Sequence, residues 1–193
     1  MSRSASLILI AAVAWAAWAC GDEPQGPTRA SLRAEIVAAI EAEDWSTALS
    51  RARRSRTLHG DTPETLYFAA LAAFKLDKSA DTFVLLNKAE TLEPEGDVEA
   101  QLAAVHGMAL LKRFRDLGAE GDLTQARLWL ETGVERGALR ADAAYSLAVM
   151  QELMTRGNDA DQRKYGKLFL ELEPDSERAA TLRKLLTAKG LLP

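Results

Sequence analysis

The stretch Pro63–Pro94, "PETLYFAALAAFKLDKSADTFVLLNKAETLEP", decides the fold. It holds two segments whose apolar residues recur at helical spacing, parted by the polar break "LDKSA". Proline opens it at a favoured first helical position, where the missing N–H has no helical partner in any case. Proline also closes it, because the ring cannot continue the ladder of backbone hydrogen bonds. The same close returns further along: "TLEPEG" at 91–96 and "ELEPDS" at 171–176 both set Leu-Glu-Pro at the end of an amphipathic segment. A recurring pair of helices is therefore the unit to look for.

Shifted back by about 34 residues, the unit 63–96 falls on 29–62. There Trp45 opens the second helix, and Ala48, Ala52 and Ser55 take the places of Thr82, Leu86 and Ala89. Forward, "GDLTQARLWLETGVERG" puts Ala126, Leu130 and Gly133 in those same places, while "AYSLAVM" and "DQRKYGKLFLELEP" make a further pair around Ala148. The units then run 29–62, 63–96, 97–140 and 141–176, the third with about ten extra residues around "KRFRDLGAEG" and the fourth with about two. No run of alternating residues long enough for a strand appears, and breaks such as "EAED", "HGDTP", "EPEGD" and "RGND" separate the helices. In "SERAATLRKLLTAKG", Leu182, Leu185 and Leu186 share one side while Arg178, Arg183, Lys184 and Lys189 lie elsewhere, so 177–193 reads as a capping helix with a wet outer face.

Small residues where two helices approach (Ala70, Ala48, Ser55, Ala89, Ala126, Gly133, Ala148) and Pro94 near the unit's end resemble the tetratricopeptide repeat. The chain departs from that pattern at Thr82 and Gln162, which replace alanine, and at Phe169, which replaces a small side chain; 123–151 also resembles the related Sel1-type repeat. The resemblance covers 30–176 and implies an all-α, right-handed α-solenoid of about four helix-turn-helix repeats with a C-terminal cap. Stacking would supply the stability, since each hairpin exposes an apolar face that only its neighbours cover.

The resemblance further implies a concave groove lined by the first helix of each pair. Its positions fall here on Arg33 and Val37, on Tyr67, Leu71 and Phe74, on Gln101, Val105 and Met108, and on Tyr145, Val149 and Glu152. An open trough of this composition suits an amphipathic helix or apolar segment of another protein, with the tyrosines as anchors. Two other readings stand beside it: several of these side chains pack between helices, or the last helix fills the trough. The lysine and asparagine clamp by which some family members hold a C-terminal carboxylate has no counterpart.

Ahead of the repeats, Arg3 precedes "ASLILIAAVAWAAWA" (5–19), an uncharged run of roughly 15 residues that matches a signal-peptide core. As a helix it would cover about 22 Å, less than the roughly 30 Å of a bilayer's hydrocarbon, so a signal peptide over 1–19 is preferred to a single-pass inner-membrane anchor. Ala17 and Ala19 suit a general signal peptidase, yet Ala17-Trp18-Ala19-Cys20 also resembles a bacterial lipobox, in which Cys20 is lipidated. The lipidated reading is preferred, because an unpartnered thiol at a mature N-terminus is a liability in an oxidising compartment. Residues 20–29, ending in "GDEPQGPTR", then form a tether. Resemblance to Gram-negative lipoproteins, with Gly21 rather than aspartate after the cysteine, implies an outer-membrane lipoprotein facing the periplasm, a soluble periplasmic protein being the other outcome.

Composition narrows the function. A formal net charge of −4, spread along the chain, argues against nucleic-acid binding. One cysteine excludes an internal disulfide, and the distant His59 and His106 give no zinc spacing, so no metal or cofactor is expected. The acidic clusters sit where helices begin, where carboxylates suit the macrodipole, and "RARRSR" (51–56) spreads its arginines around a helix as a solvated face rather than a lipid-binding stripe. No catalytic residues are assigned. The expectation is a non-enzymatic scaffold or assembly factor for other envelope proteins. Its rival is a small-ligand-binding component of a transport system, with a closed cavity lined by Tyr67, Phe74 and Tyr145.

Overall fold

A computed structural model describes residues 26–154 and 157–192, apart from the side chain of Glu120. The signal segment, the lipobox with Cys20 and most of the tether lie outside the described residues. Among the described residues every regular element is an α-helix: α1 (Arg29–Glu41), α2 (Trp45–His59), α3 (Pro63–Lys75), α4 (Ser79–Glu90), α5 (Gly96–Leu117), α6 (Glu120–Glu135), α7 (Arg140–Met150), α8 (Asp159–Leu172) and α9 (Glu177–Ala188). Helix α1 starts one residue inside the segment read as tether, because the Thr28 side chain caps it by accepting from the Ser31 N–H.

Local chemistry sets the helix ends. Asp44 of "EAED" caps α2 by accepting from the Thr47 N–H at 3.0 Å, which holds its carboxyl below the usual carboxylate range. Thr62 and Thr65 form a reciprocal capping box at the start of α3, with Pro63 in the first turn. Helices α1 and α3 end in the same way: Glu43 (φ 54°) and Asp77 (φ 61°) take the left-handed conformation. The next N–H then reaches back, from Asp44 to the Ala39 carbonyl at 2.8 Å and from Lys78 to the Ala73 carbonyl at 2.9 Å. Gly137 and Gly190 close α6 and α9 with the same bond.

Neighbouring helices pack in sequence order. The odd-numbered ones also touch one another, α1 on α3, α3 on α5 and α5 on α7, while α9 packs on α8. One continuous apolar interior runs through them from Ile36 to Leu191, including Leu66, Leu86, Leu110, Leu130, Leu147, Phe169 and Leu186. Each such large side chain contributes about 1.5–3 kcal/mol by leaving water.

Small residues allow the closest approach. A Cβ added to Gly133 would lie 2.9 Å from the Ala104 Cβ, and one added to Gly107 would lie 2.6 Å from Leu130 Cγ and 3.0 Å from the Ala126 carbonyl. The polar departures from the repeat pattern are accommodated: buried Thr82 donates to the Lys78 carbonyl at 3.0 Å, and buried Gln162 bonds Glu152 and accepts from Lys189. The extra residues of the third unit add no long loop. They lengthen α5 to 22 residues, and Arg113 in that extension grips buried Asp122 through two bonds of 2.7 and 2.6 Å while its guanidinium lies 4.4 Å over the Phe83 ring.

Candidate functional site: a hollow along the odd-numbered helices

Phe74 at the end of α3, Met108 and Leu111 in α5, and Tyr145 and Val149 in α7 line a hollow of about 280 Å³. These helices bring their side chains together because they touch along one line of the array. The rim is ionic: Lys75, Lys112, Arg115, Asp116, Asp142 and Arg178 border it, beside Ser146. Four cations and two carboxylates border it directly, and Asp77 and Glu173 pair with two of those cations from just outside.

Several rim charges are mutually engaged. Lys112 Nζ lies 2.7 Å from Asp116 and 2.9 Å from Asp77, which together raise its pKa. Arg178 pairs with Asp142 at 2.5 Å and with Glu173 at 2.9 Å, and its guanidinium sits 5.2 Å over the Tyr145 ring and 5.3 Å over Phe169. Lys75 lies 3.4 Å from Asp142 and 5.5 Å from the centre of the Trp45 ring. Partly exposed pairs of this kind contribute about 0–1 kcal/mol. A bound segment can therefore exchange partners with them at little cost.

The groove positions expected from the sequence divide in two. Phe74, Met108, Tyr145 and Val149 share the hollow. Tyr67, Leu71 and Val105 are buried in the interior instead, where burial, with the nearby charge of Asp142 adding to it, pushes the Tyr67 hydroxyl up to about 12. Arg33 is exposed and pairs with Glu64 at 2.8 Å. Gln101 and Val37 are half-buried away from the hollow, and Glu152 pairs with Lys189. The last helix does not run along the hollow; it packs on α8 and contributes only Arg178 to the rim.

Sequence reasoning missed Leu111, Arg115 and Arg178 as lining residues. Leu111 shares the helical face of Met108, a signal that was present, whereas nothing in the spacing of "SERAATLRKLL" connects Arg178 to Tyr145. The arginines of "RARRSR" are mostly structural: Arg51 pairs with Glu35, Arg53 with Asp81 and Arg56 with Asp61.

Among the described residues, no cluster of three or more His, Cys, Asp or Glu is placed to hold a metal ion, and no helix is long and apolar enough to cross a membrane. Set against known proteins, the chain matches no protein-family profile, and no curated protein is detectably similar to it.

Proposed function

We propose that the chain is a non-catalytic docking scaffold. In this reading the helices form a right-handed solenoid of four tetratricopeptide-like hairpins with α9 as its cap, held in the bacterial envelope by lipidated Cys20 and facing the periplasm. Its partner is another envelope protein, which lays an amphipathic segment with at least one acidic residue into the hollow between α3, α5 and α7.

The observation that carries this is the hollow's make-up: an apolar floor of Phe74, Met108, Leu111, Tyr145 and Val149 under a rim where Lys75, Lys112 and Arg178 are paired with carboxylates and Arg115 has no ion pair among the described residues. Apolar anchors supply affinity, and the Arg115 guanidinium selects a segment with an acidic residue beside them. The repeat reading draws support from the identical turns at Glu43 and Asp77 and from the contact of Ala104 with Gly133. The small-ligand alternative has less behind it, since buried Tyr67 does not line the hollow with Phe74 and Tyr145.

The test is a pull-down from detergent-solubilised envelope, comparing wild type with Tyr145→Ala and with Arg115→Glu. Loss of the same specific partner in both variants is expected. An unchanged set of partners would remove the hollow as the docking site.

A further inference from the structure

The face of α5 opposite the hollow carries a second concavity of different chemistry. Two adjoining depressions, of about 190 and 490 Å³, lie between α4 and α6 over α5 and share Glu90, His106 and Trp129. Leu86, Leu102, Ala103 and Pro94 floor the first, and Gln125, Leu128 and Thr132 border the second. Their α5 residues, 99, 102, 103 and 106, fall on one side of the helix, while 108, 111, 112 and 115 of the first hollow fall on the other, at about 100° per residue.

The centre of this cleft is aromatic. The His106 ring stacks on Trp129 at 5.0 Å with 15° between the planes, and Phe83 meets it edge-on at 5.9 Å. Nδ1 of His106 lies 2.9 Å from Glu90 Oε1, a bond that a neutral imidazole satisfies by carrying its proton on Nδ1. Burial favours that neutral form over the pull of Glu90, whose carboxylate is 46% exposed and screened by water. The negative charge of Glu90 is then solvated by a hydrogen bond but not neutralised. Glu99, which pairs with Arg136, is the other charged residue lining the cleft, and no lysine or arginine lines either depression. Beside these carboxylates Leu128 stands 62% exposed.

We propose that the cleft between α4 and α6 is a second docking site, which takes a protein segment presenting an arginine or lysine next to an apolar side chain. The cation would lie against the indole and the Glu90 carboxylate, and the apolar residue would cover Leu128. Charge complementarity selects this occupant: Glu99 is already paired with Arg136, whereas Glu90 has only the His106 ring as a partner among the described residues, and no lysine or arginine lines the cleft. With the two sites on opposite faces of α5, one copy of the chain bridges two partners, one offering a carboxylate to Arg115 and the other a cation to Glu90. The cleft does not depend on the first hollow being occupied.

The experiment is fluorescence anisotropy with the full chain and a fluorescein-labelled amphipathic peptide of arginine and leucine, beside the same peptide with glutamate in place of arginine. The arginine peptide binds, Glu90→Lys weakens it roughly tenfold, and Leu128→Gln weakens it about threefold. Glu41→Lys, which changes the net charge equally on α1, leaves it within about twofold, as does Lys112→Glu in the first hollow. Equal weakening by Glu90→Lys and Glu41→Lys would reduce the binding to general attraction and overturn the proposal. So would equal affinity for the two peptides.

Discussion

Moving a single methyl across the α5–α6 contact tests the packing that the whole array relies on. In Gly133→Ala the new Cβ would stand 2.9 Å from the Ala104 Cβ and 3.2 Å from its Cα, where carbon atoms ordinarily rest about 3.5–4.0 Å apart. The obstacle is largely backbone, so the helices must separate, at a cost of about 1–3 kcal/mol for overpacking. Alanine returns about 1 kcal/mol of helix propensity, leaving a net change between nothing and a loss of about 2 kcal/mol. Ala104→Gly alone loses about 1–2 kcal/mol, from propensity and one buried methyl. The double variant, Gly133→Ala with Ala104→Gly, relieves the clash and refills the gap from the other side, so it stays within about 1 kcal/mol of wild type rather than summing the two losses. Thermal unfolding by circular dichroism reads each kcal/mol as roughly 2–4 °C. Gly121→Ala is the control: its Cβ meets nothing within 4 Å, and it gains several tenths of a kcal/mol, up to about 1. Additive losses in the double variant, or a Gly133→Ala protein that gains stability as Gly121→Ala does, would refute the close approach of α5 and α6.

Glycine at Glu43 or at Asp77, both left-handed, is expected to raise stability by about 0.5–1 kcal/mol at each site, measured by urea unfolding. His106 makes stability depend on pH in a defined direction. Burial, with a smaller push from Arg113, holds its pKa below the ordinary value despite Glu90, so the unfolded chain binds a proton first. Its contribution is complete above about pH 6.5 and is lost as pH falls towards the lower folded value, so His106→Gln flattens the melting temperature over that window. Below about pH 4 a second loss follows, because Arg56 and Lys88 hold Asp61 low and Lys189 and Gln162 hold Glu152 low. Arg113→Met strands buried Asp122 and costs about 1–3 kcal/mol in chemical unfolding, whereas Arg53→Met, from an exposed pair, changes stability by no more than about 0.5 kcal/mol.

Helix punctuation was legible because it is local. Pro63 announces its helix through a fixed φ, "EAED" sets its carboxylates where α2 begins, and Ala48, Ala70 and Ala89 stand where the repeat pattern wants small side chains at buried contacts. The extension of α5 was not legible. "KRFRDLGAEG" carries loop-like glycines, yet Arg113 gains Phe83 and Asp122 only if the helix continues. The turns at Glu43 and Asp77 also escaped notice, since neither is the glycine that a left-handed residue favours.

For the site, the repeat resemblance placed Tyr67, Leu71 and Val105 in a groove, with packing between helices as the other reading. Contact of α3 with α1 and α5 draws these side chains inward, and exposure survives only towards Phe74, Met108 and Tyr145. The stacking of His106 on Trp129 joins two helices with no shared periodicity, so no spacing rule could have found it.

The docking claim is tested most directly by a photo-crosslinking residue placed at Ser146, inside the first hollow, and activated in intact cells, with exposed Lys184 on α9 as the control position. A discrete adduct from position 146, absent from position 184 and abolished by Arg115→Glu, is the predicted result. Identical adducts from both positions, or an adduct at 146 that survives Arg115→Glu, would contradict a partner seated between α3, α5 and α7.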